Sequence, residues 1–430
     1  VSARRVALLV ALVLGAALAA VLLLTTPGQL LPVPAGGATP VDAAADFSAA
    51  QIQRGDDFAA AIRPASLVSL LLGLAVSALL GLTRLGGRLV RAVAPARTSD
   101  PTGAAPRGGW VWQVLLGTVA VVVLGRLATL PVGVWAEVVR RRYGLSTRSW
   151  GLWLRDVATS TAITAVVTAL ALVALVALVR RAPRTWWAWA GAGAAGLVVV
   201  GSFLYPVLVE PAFNDFTSMP AGQLRTDLLE LAEESGTPVQ DVLVADASRR
   251  TTALNAYVSG FGSTRRIVVY DTLLEQVSVA EVESVVAHEL GHVAADDVLT
   301  GTAEGALGAA AAMAGLGWLL SWTPLLRRVG ADGPGDPRVV PLLLFLVAAA
   351  TLVSTPVQNG VSRQVEARAD LHALDLTRDP DAFIGLQRQL ATANLADLDP
   401  PAAWQWFFGS HPTSAQRIAF ARDWQRDRQG

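Results

Sequence analysis

At 430 residues the chain is longer than a typical compact soluble domain. Hydrophobic residues make up 53%, charged residues 16%, and the mean hydropathy is +0.47. This excludes an ordinary soluble protein, for which about 25% charged residues is typical. The formal net charge of zero leaves no electrostatic footprint for nucleic acid, and the absence of cysteine excludes disulfides, thiolate metal ligands and a cysteine nucleophile.

Seven apolar stretches come close to the ~20 residues needed to cross a bilayer core. They are 6–24, 67–82, 111–130, 157–179, 187–209, 303–322 and 339–357. The first follows Arg4 and Arg5, as a secretory signal would, but its long apolar run favours a retained span. The second is short and extends upstream through 59–62 despite Pro64. The sixth is rich in Gly and Ala, which permits close helix packing. Residues 25–58, rich in Pro, Ala and Gly, are expected to form a loop with little structure of its own. Residues 83–109 carry Arg84, Arg88, Arg91, Arg97 and Arg107 among Pro and Gly, the pattern of a basic loop.

Two stretches, 210–300 and 358–430, are polar enough to fold in water. In the first, 221–235 has the pattern of an amphipathic helix ending at Gly236. Strands are expected over 239–245 and 266–270, with a further one over 254–259 joined through a Gly260–Gly262 turn. Ser278 and Glu281 form a capping-box pattern, so a helix starts at Ser278 and runs to about Asp297.

That helix carries HELGH, residues 288–292. His288 and His292, four apart, share one helical face and can reach one ion. Zinc suits imidazole nitrogen and carboxylate oxygen, and a catalytic site keeps one position open for water. Glu289 is placed to act on that water as general base. The chain has only four histidines, so this pattern arises by chance in about one such sequence per thousand. Val282, Val285, Val286 and Leu290 predict a helix buried on one side. Glu366, in SRQVEARADLHAL, is the best third ligand, and Asp370 one turn later is placed to orient a ligand histidine. His372 is the rival ligand, but six positions from Glu366 it leaves that face and is assigned to packing or surface. Asp296 and Asp297 are second candidates for orienting a histidine; a polar helix end is the favoured reading. The expected fold is a mainly α polytopic membrane protein with about seven transmembrane helices. A zincin-like α+β catalytic unit is split by the last two spans. Its divisions are a membrane region over 1–209, a catalytic region over 210–300, a two-span hairpin over 301–357 and a C-terminal catalytic segment over 358–430.

With these motifs the sequence resembles the integral-membrane zinc peptidases that include the type I CAAX prenyl proteases, with the HtpX proteases as distant relatives. The resemblance extends beyond HELGH to EPAFNDFTSMPAGQLRTDLLELAEESG, TALNAYVSGFGSTRRIVVYDTLL, SRQVEARAD and SHPTSAQRI. Upstream, LPVGVWAEVVRRRYGLSTRSWGLWLRD resembles the membrane region of the prenyl-protease branch. It implies one Zn2+ per chain on His288, His292 and Glu366, with Glu289 activating water. It also implies that Asn255 holds substrate backbone, that His411 donates to the oxyanion, and that Arg417 supports that substrate-side segment. VAADDVLTG after the motif is more acidic than the family's usual run.

The expected activity is zinc-dependent endopeptidase action on a peptide or membrane-protein substrate at the bilayer, with no nucleic-acid partner. An HtpX-like quality-control protease and a non-proteolytic scaffold or transporter are the alternatives; the complete ligand set with Glu289 disfavours the second. Every lysine-or-arginine position is Arg and residue 1 is Val, which points to a GC-rich bacterial gene and a bacterial plasma membrane. Seven spans place the catalytic stretch and the C-terminus on one side. The resemblance implies that this side is cytosolic, whereas thirteen Arg in the short opposite-side segments against seven on the catalytic side favour the reverse.

Overall fold

The computed structural model describes residues 2–32, 37–94 and 109–429. Helix α1 (Ala3–Thr25) starts with a Ser2 cap. The following segment is not a bare loop through residue 58, because α2 (Ala49–Gly81) begins under a Ser48–Gln51 capping box and runs straight through Pro64. At about 1.5 Å per residue, its 33 residues exceed the ~30 Å bilayer core. Its first turns therefore project from the membrane, and there Gly55 abuts Ala396 and Arg63 pairs with Asp397.

The expected basic loop also contains a helix, α3 (Arg84–Val93), which buries Gly86, Gly87 and Val90. Small residues made this segment resemble a loop, but they serve contact: a Cβ on Gly86 would meet Pro341 at 2.7 Å. Arg97 and Arg107 lie outside the described residues. Helices α4 (Gly109–Arg142), α5 (Trp150–Arg181) and α6 (Trp186–Leu208) complete the first five spans.

The polar region then builds β1 (Phe216–Ser218), α7 (Gln223–Glu234), β2 (Asp241–Ala245), β3 (Ala256–Ser259) and β4 (Arg266–Tyr270). The sheet order is β1-β2-β4-β3, with β2 and β4 parallel and the outer strands antiparallel to their neighbours. β3 is thus an edge strand, and Val258↔Ile267 with Ala256↔Val269 sets its register. The short α8 (Asp271–Gln276) leads to α9 (Val279–Ala294), whose inner face joins Val242, Ile267, Val269 and Leu228 in one core.

Helix α10 (Asp297–Leu319) follows almost at once and turns by 86° into α11 (Thr323–Val329). Among the described residues six helices are long and apolar enough to cross a membrane, and the bent pair is a seventh if it counts as one span. The small residues of α10 do pack closely: a Cβ on Gly317 would lie 2.7 Å from Trp187 of α6. On its other flank, Thr25 donates to Glu304 at 3.0 Å while Arg4 covers Trp318, so α1 runs antiparallel to α10. The last span does not stop at the bilayer. α12 (Val340–Thr377) continues as one helix of 38 residues, so Glu366 is carried on the outward extension of a transmembrane helix. The chain ends with α13 (Pro380–Ala393), α14 (Ala402–Phe408) and α15 (Ser414–Gln429).

Candidate active site

The capping box at Ser278 forms as the sequence pattern requires: Ser278 N–H donates to Glu281 at 2.7 Å, and the Ser278 hydroxyl accepts from the Glu281 N–H. This fixes the start of α9. Burial of Val282, Val286 and Leu290, each at most 2% exposed, fixes its rotation. Both histidines then project from the opposite face. α12 crosses α9 at Gly291, where an added Cβ would sit 2.9 Å from His372 and 3.2 Å from the Ala369 backbone. Only a glycine allows that approach, and the approach is what delivers Glu366. His372 packs at this crossing, outside the triad that can hold a metal.

Three side chains converge as His288, His292 and Glu366. The two Nε2 atoms are 3.3 Å apart, Glu366 Oε2 is 3.2 Å from His288 Nε2, and Glu366 Oε1 is 3.7 Å from His292 Nε2. Ligands ~2.0–2.1 Å from a tetrahedral zinc stand about 3.4 Å apart, so the donor set has the size and chemistry for that ion. Glu366 Oε2 is buried and has no hydrogen-bond donor, as expected of an atom aimed at a cation. Burial alone would depress the His288 pKa, but the Asp370 and Glu366 carboxylates beside it outweigh burial and lift the pKa well above its usual value. A field that favours an imidazolium also favours a metal cation.

Asp370 accepts from His288 Nδ1 at 2.9 Å and is itself held by Arg417, whose Nε donates at 2.9 Å. Arg417 is half-buried, and its guanidinium is engaged by Asp370 with an Nη2 3.3 Å from His288 Nδ1. The geometry therefore puts Arg417 behind His288, through Asp370. The acidic pair after the motif is more than a polar helix end. Helix α9 stops three residues short of Asp297, Asp296 takes a left-handed conformation at φ 53°, and α10 starts with Asp297. That break turns the Asp297 carboxylate onto His292 Nδ1 at 2.9 Å, with Arg368 paired to its other oxygen. The sequence offered Asp297 as such a partner, but a helix drawn through it favoured the polar helix end. Arg368, two residues after Glu366, carried no signal of its own.

Glu289 sits among these charges, and burial pushes its carboxyl above the usual range despite partial opposition from the two histidines. His411 reaches the same carboxylate, with Nε2 3.2 Å from Glu366 Oε1, while its side chain remains 57% exposed. Ser410 contacts its Nδ1 at 2.8 Å, Gln405 donates to its carbonyl at 2.7 Å, and Arg363 ties down Gln405 and Gly409. Asn255 precedes β3 and points outward between buried Leu254 and Ala256. β3 packs along α9, no strand pairs with its outer edge among the described residues, and its Val258 lines one small pocket with His292. Tyr257 of β3 donates to Glu210 at 3.3 Å, joining this strand to the end of the fifth span.

The sequence profile of peptidase family M48 matches residues 218–425. A second profile, for the CAAX prenyl protease N-terminal region with five membrane helices, matches residues 36–215. The chain is 32% identical over 297 residues to the uncharacterized metalloprotease YhfN of Bacillus subtilis, covering 69% of this chain and 70% of that one. It is 28% identical over 303 residues to the Arabidopsis thaliana CAAX prenyl protease 1 homolog, covering 68% and 69%. The crystal structure of S. mikatae Ste24p shares the fold, with a TM-score of 0.78 over 98% of this chain and 99% of that one, at 19% identity. The chain therefore belongs to peptidase family M48, as a multi-pass membrane zinc metallopeptidase of the CAAX prenyl protease type.

Proposed function

We propose that the protein cuts a peptide laid along the free edge of β3, with Glu289 as general base and His288, His292 and Glu366 holding one zinc. The observation that carries this reading is a triangle of ligand atoms of zinc dimensions beside an unpaired strand edge. Zinc, when bound, lowers the pKa of water and polarises the scissile carbonyl. Glu289 takes the proton from the attacking water and passes it to the leaving amine. His411, exposed and within reach of the ligand cluster, donates to the oxygen that gains negative charge. An extended substrate adds as a strand to β3 through main-chain hydrogen bonds. Asn255, at the start of that strand, holds the substrate backbone in register.

The substrate class that fits is the exposed terminal segment of a membrane-associated protein or peptide, with or without a prenyl group. The catalytic face is cytosolic in this reading. Purified wild-type and Glu289→Gln enzymes, each carrying zinc, are to be compared on a quenched fluorescent CAAX peptide in farnesylated and plain forms. Membrane proteomes of the two strains test natural substrates. The variant should keep its zinc and lose cleavage; wild-type turnover in Glu289→Gln rejects the mechanism. His411→Ala should lower kcat by about 10²–10³ with a smaller change in KM.

A further inference from the structure

We propose that Asn394 is a positioning residue for Asn255, and that it sets the register of the substrate strand against the C-terminal segment. The proposal rests on the reading of Asn255 as the group that holds substrate backbone. The Leu254 N–H donates to Asn394 Oδ1 at 2.9 Å, and Asn394 Nδ2 donates to the Leu254 carbonyl at 3.3 Å. A single carboxamide thus takes both main-chain groups of one residue, as an antiparallel neighbour does in a hydrogen-bonded pair.

The bonds on either side make this tether decisive. Thr272 donates to the Ala253 carbonyl at 2.7 Å, and the Tyr270 N–H donates to the Asn255 carbonyl at 3.1 Å. The carbonyls of residues 253, 254 and 255 are therefore all bonded within the protein, 255 from β4 and 254 from the opposite edge by Asn394. With Leu254 anchored inward at 3% exposure, strand alternation turns Asn255 to the exposed face.

Asn394 is well placed to transmit a position. It caps the end of α13, which packs against α9, and its own N–H donates to Leu390. The next residue, Leu395, is buried in a left-handed turn at φ 52°. The chain then reaches Asp397, paired to Arg63 of α2, and goes on to α14 and His411. One turn thereby ties the Asn255 strand, the metal-bearing helix and the segment carrying His411 together. Misplacing a reacting group by about 1 Å can cost ~10²-fold in rate.

Zinc-loaded Asn394→Leu, Asn394→Asp, Asn255→Ala and both double variants are to be assayed on the quenched fluorescent farnesylated CAAX peptide. Zinc content and amide hydrogen exchange are measured in parallel. Asn394→Leu should lower kcat/KM by about 10–100-fold, keep one zinc per chain and speed exchange at Leu254 and Asn255. Asn394→Asp keeps the acceptor but loses the donor, so it should fall between Asn394→Leu and wild type, and it serves where Asn394→Leu does not fold. Each double variant should be no worse than Asn255→Ala alone. Multiplying losses in the doubles, unchanged exchange at Leu254, or loss of zinc in step with activity would overturn the proposal. If Asn394→Leu slows cleavage and Asn255→Ala does not, the reading of Asn255 fails. If Asn255→Ala slows cleavage and neither Asn394 variant does, the tether fails.

Discussion

His288 and His292 are chemically identical candidate ligands one helical turn apart, yet the protein supports them in different ways. Behind His288, Asp370 is 1% exposed and its charge is matched by half-buried Arg417, so the support comes from two distant helices. Behind His292, whose side chain is 20% exposed, Asp297 comes from the next helix in the chain and is tied to Arg368 nearer the surface. Stability and metal affinity are coupled on the first side, because a buried ion pair that loses one partner leaves an uncompensated charge. On the second side solvent can replace what is removed. The difference teaches that one candidate metal site can be held rigidly on one side and adjustably on the other.

Substitutions on the two sides sharpen or break this contrast. Asp370→Ala should have the largest effect, destabilising the protein by about 3–5 kcal/mol because Arg417 is left unpaired in the interior. Thermal unfolding with zinc analysis reads it, and a variant as stable as wild type would remove the asymmetry. Asp297→Asn should leave unfolding nearly unchanged but weaken zinc binding by about 10–100-fold, since the outer partner of a ligand histidine sets its orientation and basicity. Competition with a zinc chelator measures this, and a large stability loss would make both sides alike. Arg368→Leu should have a small effect, about 0–1 kcal/mol in zinc affinity, as for partly exposed pairs. A Arg368→Leu defect equal to that of Asp297→Asn would show that Arg368 is no peripheral partner.

The proposed orientation is tested separately by single cysteines in this cysteine-free chain. Ser235 lies on the catalytic side, and Thr185, between the fourth and fifth spans, lies opposite. Ser99, the other opposite-side position, falls outside the described residues. With an impermeant maleimide on intact cells, Thr185→Cys should label and Ser235→Cys should not. The reverse pattern places the catalytic side outward, as the arginine count favours.

Local order set what the sequence alone determined. The seven apolar stretches, the Ser278 cap and the HELGH pair all follow from helix geometry and bilayer thickness, which act over a few residues to one span. Even the extension of α2 through Pro64 was legible, because the apolar pattern continues on both sides. Tertiary structure decided what depends on helices meeting. The crossing at Gly291 brings Glu366 and Asp370 to His288 across 78 and 82 positions, and no periodicity encodes that distance. The left-handed break at Asp296 aims Asp297 at His292, where a helix drawn straight through would have pointed it elsewhere. Asn394 carries no motif; only when α13 is packed on α9 does its carboxamide find both main-chain groups of Leu254. Backbone preferences are written along the chain, whereas the partner of a buried polar group is chosen by packing in three dimensions.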